Sequence, residues 1–106
     1  MEAALKALAE PNRRRILSLV RDEELTAGEI ASHFRVTRPA VSQHLTVLKE
    51  AGLVHERRNG TRRLYSVRPE GLADVKAFLE SFWDERLQAL KIEAEREEKK
   101  KRGEHD

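Results

Sequence analysis

The side chains best suited to bind a ligand lie on one face of a single predicted helix, residues 38–51. Placed at about 100° per residue, this segment divides into an apolar half and a polar half. A solvated helix face usually carries Glu and Lys four residues apart, whereas the first two turns here carry Arg, Ser, Gln and Thr. Arginine suits guanine, glutamine suits adenine, and hydroxyl groups suit bases or phosphates. The polar half therefore predicts contact with DNA by Thr37, Arg38, Pro39, Ser42, Gln43, Thr46 and Lys49.

The opposite half of this helix is apolar and is expected to pack on a core. Thr37 is a suitable N-cap, and Pro39 needs no N–H partner in the first turn, although proline could delay the helix start past Arg38. Gly52 is expected to end the helix in the left-handed conformation. For His44, mid-way across the apolar half, a packed and hydrogen-bonded role is favoured over a ligand role. The predicted core positions are Ala40, Val41, His44, Leu45, Val47, Leu48 and Ala51.

A shorter helix precedes this one. Thr26 and Glu29 form a T-x-x-E capping box, which predicts a helix start at Thr26. The chain then turns through residues 35–36 into the polar-faced helix. A helix, a short turn and a helix with a polar outer face form the helix-turn-helix pattern. The core positions predicted for the first of the two helices are Ile30, Ala31 and Phe34.

Residues 53–67 predict a β-hairpin directly after the helix-turn-helix. Asn59-Gly60 is a strong signal for a two-residue type I′ turn. Such a turn pairs Arg57 with Arg62, Glu56 with Arg63 and Val54 with Tyr65; the first of these pairs is unfavourable because like charges repel across a ladder. We expect an anion to neutralise the four arginines at the tip of the hairpin. The alternative is that these arginines only keep the tip soluble. The predicted wing contacts are Arg57, Arg58, Asn59, Gly60, Thr61, Arg62 and Arg63.

A helix-turn-helix followed by a basic hairpin predicts a winged helix-turn-helix, mainly α with a small β-hairpin wing. The helix of residues 38–51 would enter the major groove, and the wing would follow the backbone or reach the adjacent minor groove.

The distribution of charge agrees with a polyanion partner. The 106-residue chain has a net charge of only +2, yet residues 35–68 hold eight basic and two acidic residues, an excess of +6. Cysteine is absent, so neither disulfides nor thiolate metal sites can form. No run reaches the length of a transmembrane helix and no signal-peptide pattern is present, so we expect a cytoplasmic protein without a membrane partner.

Two short helices are predicted ahead of the motif. The first covers residues 2–9, and Pro11 opens the second, which carries an arginine cluster at residues 13–15. These arginines are solvated or paired with Glu10, or one or two of them lie near a phosphate. The predicted core residues of the second helix are Ile16, Leu17, Leu19 and Val20.

A long final helix is predicted from about Glu70, after Pro69. Its apolar stripe is larger than a domain of this size can cover, so we expect it to pack on the N-terminal helix and on a second subunit; an internal core is the alternative. The predicted dimer contacts are Leu5, Leu8, Leu72, Val75, Leu79, Phe82, Trp83, Leu87 and Leu90, with Phe78 widening the stripe.

The chain is expected to consist of a folded domain and a charged C-terminal tail. Residues 1–92 are predicted to form one DNA-binding and dimerisation domain. Residues 93–106 are predicted to be a charged tail, either a helical extension or a disordered end, because apolar side chains almost vanish and Glu and Lys or Arg recur four residues apart.

Several segments resemble, in order and spacing, the ArsR/SmtB (arsenical-resistance-repressor type) winged-helix regulators. They are ALAEPNRRRIL at 7–17, LTAGEIA at 25–31, TRPAVSQHLTVLKEAGLV at 37–54, RRNGTRRLYSV at 58–67 and FWDERLQAL at 82–90. The resemblance implies dimeric bacterial repressors of pseudo-palindromic operators that often release DNA on binding a metal ion. The positions matching family operator contacts are Arg38, Pro39, Ser42 and Gln43, with wing arginines 57, 58, 62 and 63 on the backbone.

Metal sensing does not carry over from this resemblance. Metal-sensing members have cysteines at the start of the first motif helix, where this chain has Thr26, Ala27 and Gly28, and the final helix lacks histidine. Zinc and arsenic sites need closely placed soft or imidazole ligands. The chain resembles the cysteine-free subgroup with no identified effector, so we expect no metal and no cofactor; a small-molecule effector is unknown. A further departure is Arg35 in the inter-helix turn, where relatives commonly have glycine.

The function predicted from the sequence is a homodimeric, sequence-specific transcriptional repressor that binds double-stranded DNA at an inverted-repeat operator. Two other functions remain open, a protein-interaction module and a sequence-independent architectural DNA binder. An enzyme is not expected, because the candidate carboxylates Asp74, Glu80, Asp84 and Glu85 lie on outer helix faces without a pocket partner.

Overall fold

The computed structural model describes the backbone of residues 1–83 and 85–104 and the side chains of residues 1–83 and 89–98. The chain divides into two compact units, Met1–Val75 and Lys76–Asp106. The first unit holds the helix-turn-helix and the hairpin. Its elements, in chain order, are α1 (Glu2–Leu8), α2 (Pro11–Leu19), β1 (Leu25–Thr26), α3 (Ala27–Ala31), α4 (Arg38–Glu50), β2 (Val54–Asn59), β3 (Arg62–Val67), a 3-10 turn (Pro69–Leu72) and the first residues of α5 (Ala73–Glu80).

The core of the first unit forms where the apolar faces of the helices meet the sheet. Val41, Leu45 and Leu48 of α4 are at most 2% exposed, as the helical spacing predicted. Val47 was also predicted to be buried, but this was wrong, since it is 37% exposed at the edge of the polar face. The other fully buried large side chains are Ile16, Val20, Ile30 and Leu53.

Short-range signals set the ends of the helices as predicted. Glu29 accepts a hydrogen bond from the backbone N–H of Thr26, whose hydroxyl accepts one from the N–H of Glu29, and this completes the capping box. Thr37 Oγ1 accepts from the N–H of Ala40 at 3.3 Å, and α4 begins at Arg38 without delay. At the other end of α4, Gly52 adopts φ +75°. The N–H groups of residues 52 and 53 bond to the carbonyls of residues 49 and 48, which is the Schellman pattern.

The hairpin forms, but the predicted register was wrong by two residues. Asn59 pairs with Arg62, so the two loop residues are Gly60 and Thr61. Gly60 has φ +66° and no non-glycine residue described has positive φ, which excludes a type I′ turn at Asn59-Gly60 and fits a turn that places glycine first. As a consequence, the like-charged pair on the ladder is Arg58 with Arg63, and not Arg57 with Arg62. Val54 lies opposite Val67, and Tyr65 lies opposite Glu56.

A third strand completes the sheet, and sequence analysis did not predict it. Leu25 and Thr26 form β1, which pairs antiparallel with β3 through Tyr65 and Leu64. The strand order is β1-β3-β2, so β3 is central. The N-terminal end of α3 is therefore joined directly to the base of the wing.

The prediction of a single long final helix was wrong. After the 3-10 turn, α5 ends at Glu80 and α6 runs from Glu85 to Glu104. The hydroxyl of Ser81 donates to the carbonyl of Phe78 at 2.6 Å, and the N–H of Trp83 bonds to the carbonyl of Glu80 at 2.9 Å. Such local bonds tighten the last turn and compete with continuation of the α-helix.

Residues 93–104 lie within α6, and the side chains of 93–98 are exposed. The tail was predicted to be either a helical extension or a disordered end, and residues 93–104 are helical. The expected pairs Glu95–Lys99, Glu97–Lys101 and Glu98–Arg102 include side chains outside the described part, as does Leu87. The domain boundary at residue 92 stays a prediction.

Candidate nucleic-acid interface

The outer face of α4 presents the polar side chains that the sequence singled out. Arg38, Ser42, Gln43 and Thr46 are all exposed. Thr46 Oγ1 donates to the carbonyl of Ser42 at 3.0 Å, which leaves the oxygen lone pairs of that hydroxyl available. Arg38 forms no ion pair with any carboxylate whose side chain the structure describes. The first turns of this helix thus carry an unneutralised cation beside neutral hydrogen-bonding groups.

A cleft joins this face to the wing. Its volume is about 470 Å³, and α3, α4 and the hairpin all contribute to its walls. The guanidinium of Arg38 lies against Gly28 of α3, with its carbon 3.9 Å from the position that a Cβ on Gly28 would take, which is van der Waals distance. The lining residues are Thr26, Ala27, Gly28, Arg38, Ser42, Thr61, Arg62, Arg63 and Tyr65. The structure therefore brings two predicted helix contacts and three predicted wing contacts to one concave surface.

The wing arginines differ from Arg38 because most of them already hold a carboxylate. Arg57 donates from Nε and Nη2 to the two oxygens of Glu24, both at 2.9 Å. Arg62 Nη2 donates to Glu29 Oε1 at 2.9 Å. Arg63 Nη1 lies 3.6 Å from Glu56 Oε1. Among the side chains described, Arg58 has no such partner.

These pairs keep the acidic partners ionised. The hydrogen bond from Arg57 lowers the pKa of Glu24, and the same contact raises the pKa of Arg57. The pKa of Glu29 is lowered first by the hydrogen bonds from Thr26 and then by the charge of Arg62. At neutral pH each of these two arginines therefore faces a full negative charge.

Glu56 connects α4 to the hairpin. Its Oε2 accepts from Lys49 Nζ at 3.2 Å and from the hydroxyl of Tyr65 at 3.3 Å, while Oε1 faces Arg63. Partial burial raises the pKa of Glu56, but Lys49 and Arg63 outweigh that effect and the pKa is lowered. Burial and the negative charge of Glu56 raise the pKa of Tyr65. Lys49, predicted as a phosphate contact, is thus already paired.

Comparison with known proteins identifies the family of this fold. Residues 10–56 match the model for the bacterial regulatory proteins of the arsR family. The chain is 46% identical over 86 residues to the HTH-type transcriptional regulator Rv2034 of Mycobacterium tuberculosis, an alignment that covers 81% of this chain and 80% of that protein. The chain belongs to the ArsR family. Proteins of this family are DNA-binding transcriptional regulators and not enzymes, and this chain has their winged helix-turn-helix.

Further proteins similar to this ArsR-family chain are also transcriptional regulators or have the same fold. The transcriptional repressor SdpR of Bacillus subtilis is 39% identical over 70% of the chain and 82% of its own length. The crystal structure of a possible transcriptional regulator for arsenical resistance has a TM-score of 0.69 at 45% identity, covering 84% of this chain and 93% of that one. The homodimeric winged helix-turn-helix domain of Mb0332 from Mycobacterium bovis has a TM-score of 0.63 at 35% identity, covering 81% and 80%.

The arginine cluster of α2 has a structural role in this ArsR-family chain. Arg13 donates to the carbonyls of Ala7 and Lys6 at 2.7 and 3.0 Å, and Arg14 donates to Leu8 at 2.7 Å. Arg15 lies over the ring of Phe34 at 4.8 Å. The carbonyls of Ala7 and Leu8 lie in the last turn of α1, where an α-helix leaves carbonyls without helical partners, and the carbonyl of Lys6 also accepts from the N–H of Ala9 at 3.3 Å. Arg13 and Arg14 therefore cap α1, a role that was not foreseen from the sequence.

The predicted dimer contacts fall into three groups. Leu5, Leu8 and Leu72 pack partly against the core of the first unit, and Val75, only 6% exposed, belongs to that core. In the second unit Phe78 and Phe82 form an edge-to-face pair with centroids 5.2 Å apart. Among the side chains described in that unit, the strongly exposed apolar ones are Phe78, Leu79, Phe82, Trp83, Leu90 and Ile92, from 42% to 62% exposed.

Among the side chains described, no three His, Asp or Glu residues group closely enough to hold a metal ion. Within the described part of the chain, no helix has the length and apolarity needed to cross a membrane. Of the carboxylates considered for catalysis, Asp74 and Glu80 are exposed, and the side chains of Asp84 and Glu85 lie outside the described residues.

Proposed function

We propose that this ArsR-family regulator is a homodimeric repressor that binds an inverted-repeat operator and does so without sensing a metal. Helix α4 enters the major groove, where Arg38, Ser42, Gln43 and Thr46 contact base edges. The hairpin then follows the backbone with Arg57, Arg58, Arg62 and Arg63. The observation that supports this proposal is the cleft whose walls come from α3, α4 and the hairpin, because Arg38 and Ser42 of α4 share this concave surface with Arg62 and Arg63 of the hairpin.

Exposed apolar surface supports the homodimer. Phe82 and Trp83 are 62% and 57% exposed, which is costly in water unless another surface covers them. A relative of 35% identity is described as homodimeric. In a two-fold symmetric dimer, two α4 helices meet successive major grooves about 34 Å apart, and this spacing requires two inverted half-sites.

The chemistry of the available ligands supports independence from metal. Residues 26–28, Thr-Ala-Gly, open α3 with no thiolate or imidazole, and the chain holds no cysteine. His44 and His55 each lie beside a single carboxylate, Glu10 at 3.8 Å and Glu70 at 3.5 Å. We also propose a cytoplasmic location, because a regulator of this kind must reach the chromosome.

The decisive experiment selects bound fragments from a pool of random DNA duplexes at physiological salt. We expect an enriched sequence with two inverted half-sites about one helical turn apart. Sedimentation at micromolar concentration should give a dimer. Equal affinity for all duplexes would instead favour an architectural DNA binder, and a lone subunit indifferent to duplex would contradict the proposal as a whole.

Repression is tested separately with a reporter gene placed behind the selected operator. The reporter should fall when the protein is expressed and should not change when zinc or arsenite is added. A rise in reporter output would identify an activator, and relief by a metal would contradict metal independence.

A further inference from the structure

Two carboxylates from outside the hairpin hold two of the arginines on the wing. Glu24, directly before β1, binds Arg57 through both of its oxygens, and Glu29 of α3 binds Arg62. Both glutamates are remote in sequence from their partners, by 33 residues in each case. The wing therefore carries less free positive charge than its four arginines suggest.

These ion pairs are not what holds the wing in position. Strand β3 is hydrogen-bonded on both sides, to β1 and to β2, and the side chains of its residues Leu64 and Tyr65 are both buried. The ion pairs themselves lie in solvent, since the side chains of Arg57 and Arg62 are 55% and 60% exposed. Exposed ion pairs contribute little to stability. Their main consequence is therefore on the charge that the wing presents.

A DNA phosphate offers an arginine the same geometry as a carboxylate. Both present two oxygens to which a guanidinium can donate two parallel hydrogen bonds. Arg62 also lines the cleft beside Arg38, so a phosphate that reaches the cleft meets Arg62 while Glu29 still holds it. The phosphate and the glutamate compete for the same donors.

We propose that Glu24 and Glu29 are affinity-setting residues that DNA phosphates must displace from Arg57 and Arg62 when the wing binds. This inference rests on the proposed function, since it requires the wing to meet DNA. An arginine released from a carboxylate gains a phosphate but loses an existing ion pair, so its net contribution to affinity is reduced. The two glutamates thereby limit binding to any duplex, whatever its sequence.

The first test compares Glu24→Gln with Glu23→Gln. Glu23 is adjacent and exposed and forms no ion pair among the described side chains, so the two variants make the same change of charge at nearly the same place. Affinity for a mixed-sequence duplex of about 30 base pairs, roughly three helical turns, is measured over a range of salt concentrations. We expect Glu24→Gln to bind about two- to fivefold more tightly than Glu23→Gln, a small gain because an exposed ion pair is weak.

Glu29→Gln tests the second pair without removing the cap of α3. Glutamine can fill the same position of a capping box, so its amide oxygen keeps the bond to the Thr26 N–H while the charge facing Arg62 is lost. A similar gain in affinity is expected, and thermal unfolding of the variant verifies that the fold is intact.

Arg57→Gln separates ion-pair exchange from a general reduction of negative charge. In this background Glu24→Gln should no longer bind DNA more tightly than Glu23→Gln, because no ion pair remains to be exchanged. If Glu24→Gln still binds DNA more tightly than Glu23→Gln in this background, the inference is overturned. A Glu24→Gln variant that binds more weakly would overturn it too, since the carboxylate would then be positioning Arg57 for DNA.

The wild-type chain separates failure of this inference from failure of the proposed function. Wild-type protein that binds no duplex contradicts the proposed function. Wild-type protein that binds DNA, with Glu24→Gln and Glu23→Gln equal, contradicts only the role of Glu24.

Discussion

The outer face of α4 and the wing are both basic, yet their cations are in different states. In the first turn of α4, Arg38 has no carboxylate partner among the described side chains, and Lys49 near the end of that helix is paired with Glu56. On the hairpin, Arg57, Arg62 and Arg63 each have a carboxylate partner. The α4 face can bind a base edge without first breaking an internal contact. On the wing, a phosphate meets three arginines that already face a carboxylate, and only Arg58 among the described wing arginines lacks one.

This difference means that a count of basic residues overstates what the wing contributes. The excess of +6 over residues 35–68 omits Glu24 and Glu29, which lie earlier in the chain but against the hairpin in the fold. In the proposed complex, sequence discrimination depends on α4, and the wing adds affinity that is largely independent of sequence.

The largest expected effect is therefore on α4. Arg38→Ala or Gln43→Ala should weaken operator binding by about 1–3 kcal/mol each and relax preference at particular base positions, because each removes a donor to a base edge. Binding to random duplex should fall much less. Fluorescence anisotropy with the selected operator and with single-base variants measures both quantities.

Arg21→Ala is a matched control for the loss of charge at Arg38. Arg21 is exposed and contacts only Asp22 among the described side chains. Its substitution should change operator binding little. Equal losses on operator and random duplex for Arg38→Ala would contradict the assignment of base reading to α4.

A smaller effect is expected on the wing, and it should differ between neighbouring arginines. Arg58→Gln removes a cation without an internal partner, so binding to all duplexes should weaken alike and the slope of log affinity against log salt should flatten by about one. Arg57→Gln removes a cation that Glu24 already neutralises, so its loss should be smaller. Equal effects of the two substitutions would remove the distinction between free and paired arginines on which this comparison depends.

The signals that predicted the fold correctly are local ones. The capping box of Thr26 and Glu29, the N-cap Thr37 and the left-handed Gly52 each depend on a few consecutive residues, and all three are present. The polar face of α4 follows from helical spacing alone, and the side chains predicted there are exposed. Their assignment to DNA contacts stays a prediction.

The register of the hairpin and the third strand were missed because local patterns do not specify how strands pair. A two-residue shift in the hairpin leaves every side chain on the same face, so the apolar pattern could not distinguish the two registers. Strand β1 has two residues, too few for any periodic pattern. Because β1 brings Glu24 towards β3, the ion pair with Arg57 could not be predicted while that strand was unknown.

The smallest expected effect concerns Glu56, the residue that joins the two surfaces. Its pKa is lowered from the ordinary value of 4.5, so its ion pairs stabilise the fold fully above that value and are lost as pH falls through the lowered pKa. The free energy of unfolding should therefore decrease as pH falls below about 4.5, in parallel with the lowered pKa values of Glu24 and Glu29. Urea unfolding between neutral and acidic pH measures this decrease.

Glu56→Gln isolates the share that Glu56 contributes to this pH dependence. The variant should be less stable than wild type at neutral pH by about 1 kcal/mol, and the difference should shrink on acidification, since protonated Glu56 and glutamine are both uncharged. Glu50→Gln is the control and should leave the pH dependence unchanged, because Glu50 is an exposed carboxylate at the end of α4 with no ion pair among the described side chains. A Glu56→Gln variant with the pH dependence of wild type would mean that α4 and the hairpin are joined by packing alone. In that case a phosphate could replace Glu56 as the partner of Lys49 and Arg63 without moving the wing.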